Sequence, residues 1–206
     1  MIAIVDYGVG NLFSLLCSLK ALGAQAEVTG DASRIAAAER LILPGVGAFG
    51  DARDKLRRTG LDDVVVREAR AGKPLLGICL GMQMLLDEGL EFGTHKGLGL
   101  IPGRVVPMQG AVPAGLKIPQ IGWNALQMGN PPHRMFRHIR QGAHMYFVHS
   151  YYAANCPDVT ATCEYGIPIA AAVARDNVWG CQFHPEKSGA AGLMMLRALV
   201  EAYSLR

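Results

Sequence analysis

The sequence lacks any long uninterrupted apolar run, although 50% of its 206 residues are hydrophobic. Its apolar stretches are broken by Gly, Pro or charge and fall short of the roughly eighteen residues that cross a bilayer. The opening segment from Met1 to Asp6 has no basic residue and ends on an acid, which predicts a strand rather than a signal peptide. We therefore expect a soluble, cytoplasmic protein.

A strong charge of one sign is also missing, because 20 basic residues are interspersed with 17 acidic ones and the formal net charge is +3. Without a basic stripe suited to a phosphate backbone, nucleic acid is not an expected partner. The five cysteines form an odd set with no C-x-x-C pair, which argues against a disulfide framework or a zinc ribbon. We expect no metal site and a reducing compartment.

Short β-branched and Leu-rich runs alternate with helical periodicity in the first half of the chain, as in repeated βαβ units. This alternation predicts an α/β protein with a mostly parallel open sheet flanked by helices. The predicted strands are Ile2–Tyr7, Ala26–Thr29, Arg40–Leu43 and Pro74–Cys79. The predicted helices lie near Asn11–Leu22, Ala32–Ala38, Ala48–Arg58, Leu61–Ala71 and Leu80–Glu88.

From Gly97 onward the apolar runs are shorter and are separated by Gly and Pro, which predicts additional antiparallel strands. The segments are Gly99–Met108, Ala143–Tyr152, Val159–Cys163, Ile169–Arg175 and Val178–Phe183, followed by a closing helix at Gly189–Tyr203. The Pro- and Gly-rich segment Gly110–Arg140 is the expected place for long functional loops. The length and apolar content suit one domain over residues 1–206.

One cysteine lies where a predicted strand turns into a predicted helix, in Gly77-Ile78-Cys79-Leu80-Gly81. The flanking small residues allow the strained turn that lifts a nucleophile off a sheet, as in the G-x-S-x-G elbow of α/β hydrolases. The N-terminus of the following helix favours the thiolate through its partial positive charge. A buried cysteine between loop glycines is the alternative.

A cysteine nucleophile needs a base, and His184 is the strongest candidate among six histidines. It ends the predicted strand 178–183, and strand ends in open α/β sheets are where sites form. Glu186, two residues on, could orient the imidazole and stabilise the imidazolium. On its own, His184-Pro185-Glu186 also fits a surface histidine beside a solvated carboxylate, or a metal-site fragment. The motif gains weight only when it is joined to Cys79.

An oxyanion formed during acyl transfer needs backbone N–H donors, and glycine-rich turns can approach it closely. Pro44–Ala48 follows the strand Arg40–Leu43 and would share a sheet edge with Cys79, although an ordinary βα loop is equally compatible. Gly8-Val9-Gly10-Asn11 fails as a dinucleotide fingerprint because Phe13 stands at the third glycine position. His149-Ser150-Tyr151 is a candidate substrate wall.

The segment Gly77–Gln83, combined with His184-Pro185-Glu186, resembles the class I, or triad, glutamine amidotransferases. Four other segments resemble more narrowly the glutaminase subunits of imidazole glycerol phosphate synthase: Asp6–Asn11, Leu43–Phe49, Gln120–Asn124 and Phe147–Tyr151. The resemblance covers essentially the whole chain. It implies a single-domain, flavodoxin-like fold of the class I amidotransferase type that uses no cofactor.

In that family a cysteine attacks the side-chain amide of glutamine, ammonia leaves, and water releases glutamate. The resemblance makes Cys79 the nucleophile, His184 the general base and acid, and Glu186 the group that orients it. It implies that the oxyanion is held by Gly45, Val46, Gly47 and Leu80. It further implies a glutamine pocket lined by Gln83, His149, Ser150 and Tyr151.

The partner in that family is a (β/α)₈-barrel cyclase subunit, with which the glutaminase forms a heterodimer. The cyclase uses the ammonia to make imidazole glycerol phosphate and an aminoimidazole carboxamide ribonucleotide in histidine biosynthesis. The chain itself favours a partner, because the amidotransferase motifs leave no room for a synthase module. Ammonia released into neutral water would also be protonated, so we expect delivery through a channel. The candidate partner contacts are Asn11, Gln120, Trp123 and Lys187.

Other functions remain compatible with the sequence. Within the class, the chain could feed an anthranilate, pyridoxal phosphate or guanylate synthase, although Pro44-Gly45-Val46-Gly47 lacks the Gly-Gly pair of several such relatives. Outside the class, it could be a catalytically silent binding subunit on the same fold, or a thiol hydrolase of another amide or ester. The intact residues Cys79, His184 and Glu186 disfavour silence but do not distinguish between acyl substrates.

Overall fold

Nine strands form one mixed sheet in the computed structural model, which describes residues 1–202. The strands of the first half are β1 (Ile2–Val5), β2 (Ala26–Thr29), β3 (Arg40–Leu43) and β4 (Leu75–Ile78). The later strands are β5 (Glu88–Gly89), β6 (His95–Lys96), β7 (Arg104–Pro107), β8 (Gln120–Met128), β9 (His144–His149), β10 (Tyr151–Ala154), β11 (Val159–Glu164), β12 (Pro168–Arg175) and β13 (Val178–Cys181).

The order of the large sheet is β2-β1-β3-β4-β13-β12-β11-β8-β9, and β10-β7-β5-β6 form a second, smaller sheet. The first five strands of the large sheet pair in parallel. From β13 to β9 every pairing is antiparallel. The α/β class, the parallel first half and the added antiparallel strands are therefore confirmed.

Six helices cover the two faces of the sheet: α1 (Leu12–Ala21), α2 (Ala32–Ala37), α3 (Phe49–Arg58), α4 (Leu61–Arg70), α5 (Leu80–Met84) and α6 (Gly189–Val200). Successive side chains of β1 point to opposite faces of the sheet and therefore belong to two different apolar layers. Ile2 and Ile4 join the layer that contains α1 and α6. Ala3 and Val5 join the layer that contains α2, α3 and α4. None of the helices within residues 1–202 has the length and apolar character needed to traverse a bilayer.

Most first-half elements begin and end within two residues of the prediction, but the helix predicted over Leu80–Glu88 is wrong at its C-terminal end. The helix α5 ends at Met84, and Glu88 already pairs with Lys96 and Arg104 in the small sheet. The Asp87 side chain accepts a hydrogen bond from Gly103 N, at 3.0 Å, which fixes the chain in this extended course. Tertiary pairing therefore overrides the local helical pattern.

Three further predictions in the second half need correction. Gly110–Arg140 has loops on both sides of residues 120–128, but those residues form the nine-residue strand β8, which pairs with β9 and β11. The segment Ala143–Tyr152 is two strands, because β9 belongs to the large sheet and β10 to the small one. Within Gly99–Met108 only Arg104–Pro107 is a strand. The predicted helix end at Tyr203 lies outside the described residues.

The central pair of strands brings distant parts of the sequence together. In the parallel register of β4 and β13, Leu75 lies opposite Val178 and Ile78 lies opposite Cys181. The residues that follow each strand therefore emerge side by side at the same edge of the sheet. Carboxyl ends of parallel strands are where α/β proteins place their sites.

Candidate active site

Cys79 occupies a strained turn between β4 and α5. Its backbone has φ 54° and ψ −112°, a region that costs a non-glycine residue free energy and that the surrounding structure must enforce. The Cys79 N–H donates to Cys181 O, at 2.8 Å, so the turn is fixed to the neighbouring strand. The predicted elbow setting of the cysteine matches this geometry.

Three glycines make this turn possible because they allow backbone segments to touch. A Cβ on Gly77 would lie 2.7 Å from Gly81 O, and a Cβ on Gly81 would lie 1.9 Å from Leu43 O. A Cβ on Gly45 would lie 2.7 Å from Gly81 N. These distances explain the glycines on both sides of Cys79, and they place the loop after β3 directly against the N-terminus of α5.

His184 is held by a short 3₁₀ turn, Pro185–Lys187, that follows β13. The His184 N–H donates to Tyr146 O, at 2.9 Å, which joins the turn to β9. Ser188 Oγ donates to His184 O, at 2.6 Å, and accepts from Tyr146 N, at 3.0 Å. A Cβ on Gly192 would lie 1.9 Å from Pro185 O, so α6 packs directly against the turn.

The imidazole of His184 is paired with the carboxylate of Glu186. The distance from Nδ1 to Oε1 is 2.9 Å, and the two side chains are only 4% and 1% exposed. Burial disfavours the imidazolium, but hydrogen bonds with Cys79 and Glu186 outweigh it and raise the pKa of His184 to about 9. The raised pKa favours the imidazolium form of His184.

Asn11 contacts the carboxylate of Glu186. Its Nδ2 donates to Glu186 Oε1, at 3.4 Å. The other carboxylate oxygen, Oε2, is buried and has no hydrogen-bond partner among residues 1–202. The carboxylate is therefore oriented by Asn11 and His184 on one oxygen only.

A pocket of about 360 Å³ opens beside Cys79 and His184. It brings together residues that the sequence predicts for three roles: Cys79 and His184 for catalysis, Val46, Gly47 and Leu80 for the oxyanion, and Gln83, His149, Ser150 and Tyr151 for the substrate. Its wall also includes Glu91, Pro119, Val148 and Lys187. Of the oxyanion candidates, Gly45 instead packs against the backbone of α5.

The Tyr151 carbonyl organises one wall of the pocket. It accepts from Gln83 Nε2, at 3.0 Å, and from His149 Nδ1, at 2.9 Å. The Nδ1–H tautomer follows, because a carbonyl can only accept. Burial, opposed by the Tyr151 hydrogen bond and reinforced by proximity to His184, lowers the pKa of His149 to about 4.

Sequence reasoning missed two polar residues beside the site. Glu91 lines the pocket, and its Oε2 accepts from Phe49 N at the start of α3, at 2.7 Å. Tyr7 OH donates to Pro44 O, at 2.7 Å, which ties the loop after β3 to the end of β1. Burial, together with the nearby Cys79, raises the pKa of the Tyr7 phenol. Tyr7 lies within a motif that the resemblance used, whereas no local pattern marks Glu91.

The four candidate partner contacts separate into different environments. Trp123 is 53% exposed and packs edge-on against the Tyr146 ring, with 5.9 Å between ring centroids. Lys187 Nζ lies 5.9 Å from the centroid of the same ring, so these two candidates share one surface. Gln120 is not on that surface, which corrects its prediction. It is fully buried, and its Nε2 donates to Asn124 Oδ1 and to Cys163 Sγ.

Comparisons with known proteins agree with this geometry. The family model for class-I glutamine amidotransferases matches residues 3–201. The imidazole glycerol phosphate synthase subunit HisH of Rhodopirellula baltica is 49% identical over 98% of both chains. The protein of the same name from Desulfitobacterium hafniense is 50% identical over 95% of this chain and 92% of its own.

Solved structures are similar in fold at low sequence identity. A crystal structure described as a glutamine amidotransferase has a TM-score of 0.74 at 20% identity, covering 96% of this chain and 98% of its own. The structure of PurLQS from Thermotoga maritima has a TM-score of 0.75 at 20% identity, covering 97% and 96%. The chain therefore belongs to the class-I glutamine amidotransferases and, within them, to the HisH family of imidazole glycerol phosphate synthase subunits.

Proposed function

We propose that Cys79, His184 and Glu186 hydrolyse glutamine, and that the ammonia passes to a cyclase subunit that makes imidazole glycerol phosphate in histidine biosynthesis. The observation that carries this proposal is the placement of a strained cysteine elbow and a buried His–Glu pair at one pocket. The names of the relatives, which are subunits of imidazole glycerol phosphate synthase, support the destination of the ammonia.

In the first step, the Cys79 thiolate attacks the side-chain carbonyl carbon of glutamine. The carbonyl π electrons move to the oxygen, which becomes an oxyanion. We assign its stabilisation to Leu80 N–H, at the N-terminus of α5, and to the loop 45–47. The close packing of Gly45 on Gly81 holds that loop beside the elbow.

His184 then donates its proton to the nitrogen of the intermediate, and ammonia leaves as the γ-glutamyl thioester forms. The neutral imidazole next accepts a proton from water, whose oxygen attacks the thioester carbon. Collapse of the second intermediate breaks the carbon–sulfur bond, releasing glutamate and regenerating the thiolate beside the imidazolium. Glu186 keeps Nδ1 protonated throughout, so that Nε2 is the atom that exchanges protons.

Pocket chemistry supports an amino-acid substrate. Glu91 offers a carboxylate that would attract an α-ammonium group, and Lys187 offers a cation for an α-carboxylate. Gln83 and the segment His149–Tyr151 would then flank the chain between those ends and the reacting amide. We further propose that residues 1–206 form one glutaminase domain.

We also propose that the partner covers the surface formed by Trp123, Tyr146 and Lys187, with Asn11 beside it. An exposed tryptophan packed against a tyrosine has the composition of an interface hot spot. Ammonia delivered across such an interface would stay neutral and nucleophilic. Cyclisation and nucleotide binding are then the roles of the partner.

The test is glutamate release from glutamine by the chain alone and with the cyclase and its nucleotide ligand. We expect weak activity alone, strong stimulation in the complex, and at least a 10³-fold loss with Cys79→Ala. Cys17→Ala is the matched control, since Cys17 is an exposed cysteine on α1. Unimpaired turnover by Cys79→Ala would contradict the nucleophile assignment, and full activity without a partner would contradict the dependence on a cyclase.

A further inference from the structure

A second glutamine side chain lies directly behind the proposed nucleophile. Gln182 is fully buried two residues before His184, and its Nε2 donates to Cys79 Sγ, at 3.6 Å. Its Oε1 accepts from Gln83 Nε2, at 2.8 Å. The carboxamide thus contacts the sulfur but does not line the pocket.

The direction of this hydrogen-bond chain is fixed at its far end by a backbone group. Tyr151 O can only accept, so the Gln83 amide must turn its Nε2 towards it. The same Nε2 donates to Gln182, which must therefore present Oε1 to Gln83 and Nε2 to Cys79. Flipping Gln182 alone would set two N–H groups against each other, and flipping both amides would set Gln83 Oε1 against Tyr151 O.

We propose that Gln182 is a catalytic residue that stabilises the Cys79 thiolate through an N–H···S hydrogen bond, with Gln83 as the residue that positions it. A donor that faces sulfur favours the charged form over the thiol, and hydrogen bonds to charged groups are the stronger ones. The same contact would stabilise the thiolate when it leaves the acyl-enzyme. This inference rests on the proposed nucleophilic role of Cys79.

Other groups around the sulfur are accounted for. The thiol form can donate to Val148 O, at 4.0 Å, a contact that is lost on ionisation. The titratable groups that face Cys79 are His184 after β13, Tyr7 after β1 and Cys181 at the end of β13. Among the uncharged neighbours, Gln182 supplies a hydrogen-bond donor to the sulfur. A carboxamide does not titrate, so it remains a donor as the pH changes.

The test is the pH dependence of Cys79 alkylation by iodoacetamide in the full chain, followed by mass spectrometry of the Cys79 peptide. We expect Gln182→Leu to slow alkylation about tenfold at pH 7 and to move the midpoint of the profile upward by about one pH unit. Gln182→Glu, which places an acceptor against the sulfur, should slow it further. Thermal unfolding checks that each variant is folded, and the second variant decides the matter if the first does not fold.

Gln120→Leu is the matched control, because Gln120 is an equally buried glutamine whose Nε2 donates to a different cysteine, Cys163, at 3.7 Å. It should leave the alkylation profile of Cys79 unchanged. A Gln182 variant that is folded and has the wild-type profile would overturn the proposal while leaving the nucleophile assignment intact. Failure of that assignment has a separate signature, which is glutamine hydrolysis by Cys79→Ala.

Discussion

Strands β3 and β4 hold their share of the site by different means from β13 and the strands beyond it. At the carboxyl ends of β3 and β4 lie the loop 45–47 and Cys79, whose positions depend on backbone segments in contact through glycines. Beyond β4, the residues after β13 and β9 present His184 and the pocket wall. Their positions depend mainly on hydrogen bonds made by side chains, although α6 also packs against the turn at Pro185 through Gly192.

This difference separates steric support from polar support. Contacts between backbones tolerate no added atom, so the nucleophile side should respond to a single methyl group. Hydrogen-bonded groups tolerate changes of shape better but depend on charge, so the base side should respond to pH and to isosteric substitution. The following three predictions test that contrast.

The largest effect should come from Gly81→Ala. Its Cβ would lie 1.9 Å from Leu43 O and 2.8 Å from Leu43 C, both backbone atoms that cannot turn aside. We expect a loss of more than about 4 kcal/mol in the free energy of unfolding, measured with urea. Gly129→Ala is the control, because its Cβ would meet nothing closer than 3.7 Å. Equal free energies of unfolding for the two variants would contradict the steric role assigned to Gly81.

The next effect should come from Glu186→Gln, which keeps the shape of the side chain and removes its charge. The neutral amide leaves the imidazolium without its counter-ion, so the pKa of His184 should fall from about 9. We expect kcat for glutamine hydrolysis to fall about 10²- to 10³-fold while the variant remains folded.

The sign of the linked stability change follows from the direction of the pKa shift. The folded pKa of His184 lies above its ordinary value of 6.5. Protonated His184 therefore contributes to the free energy of unfolding below about pH 6.5, and this stabilisation is lost as the pH rises through about 9. Glu186→Gln should therefore flatten the alkaline side of the stability profile. Titration of the His184 ring signals by NMR measures the pKa directly, and an unchanged value would contradict the role of the carboxylate.

A smaller effect of opposite sign is expected for His149. Its folded pKa is lowered to about 4, so the unfolded chain takes up a proton near pH 6.5 while the folded imidazole stays neutral. Stability is therefore lost as the pH falls from about 6.5 towards 4, by on the order of 3 kcal/mol in total. His149→Leu should make the acid limb of the urea-unfolding profile shallower. An equally steep limb in that variant would show that His149 is not responsible.

The two halves of the chain also differ in how well their sequence predicts their strands. Strands β2 and β3 begin and end at the predicted residues, and each lies in sequence between two helices that flank the sheet. Strand β8 lies in a Gly- and Pro-rich segment that the sequence does not mark as a strand, and it pairs with β9 and β11. Local patterns carry no information on partners so distant.

The same reasoning applies to the site residues. Cys79 can be singled out from its own five-residue turn, since the elbow is a local structure. Glu91 reaches the pocket only because the small sheet turns the chain back beside α3. Gln120 has a polar side chain that suggests exposure, yet its Nε2 donates to Asn124 and Cys163 inside the protein, while its buried Oε1 has no partner among residues 1–202. Burial of a polar group with its partners is a property of the fold, so it cannot be read from one position.

The insertion of β13 between β4 and β12 has a consequence for synthesis of the protein. A ribosome completes Cys79 well before it adds Gln182, which lies 103 positions later in the chain. Until β13 arrives, the edge of β4 is unpaired, and such edges invite association between nascent chains. Without β13 and the residues after it, Cys79 also lacks the proposed base, His184. Under the proposed function, an incomplete chain would therefore hydrolyse no glutamine, and hydrolysis would indicate that β13 has been added.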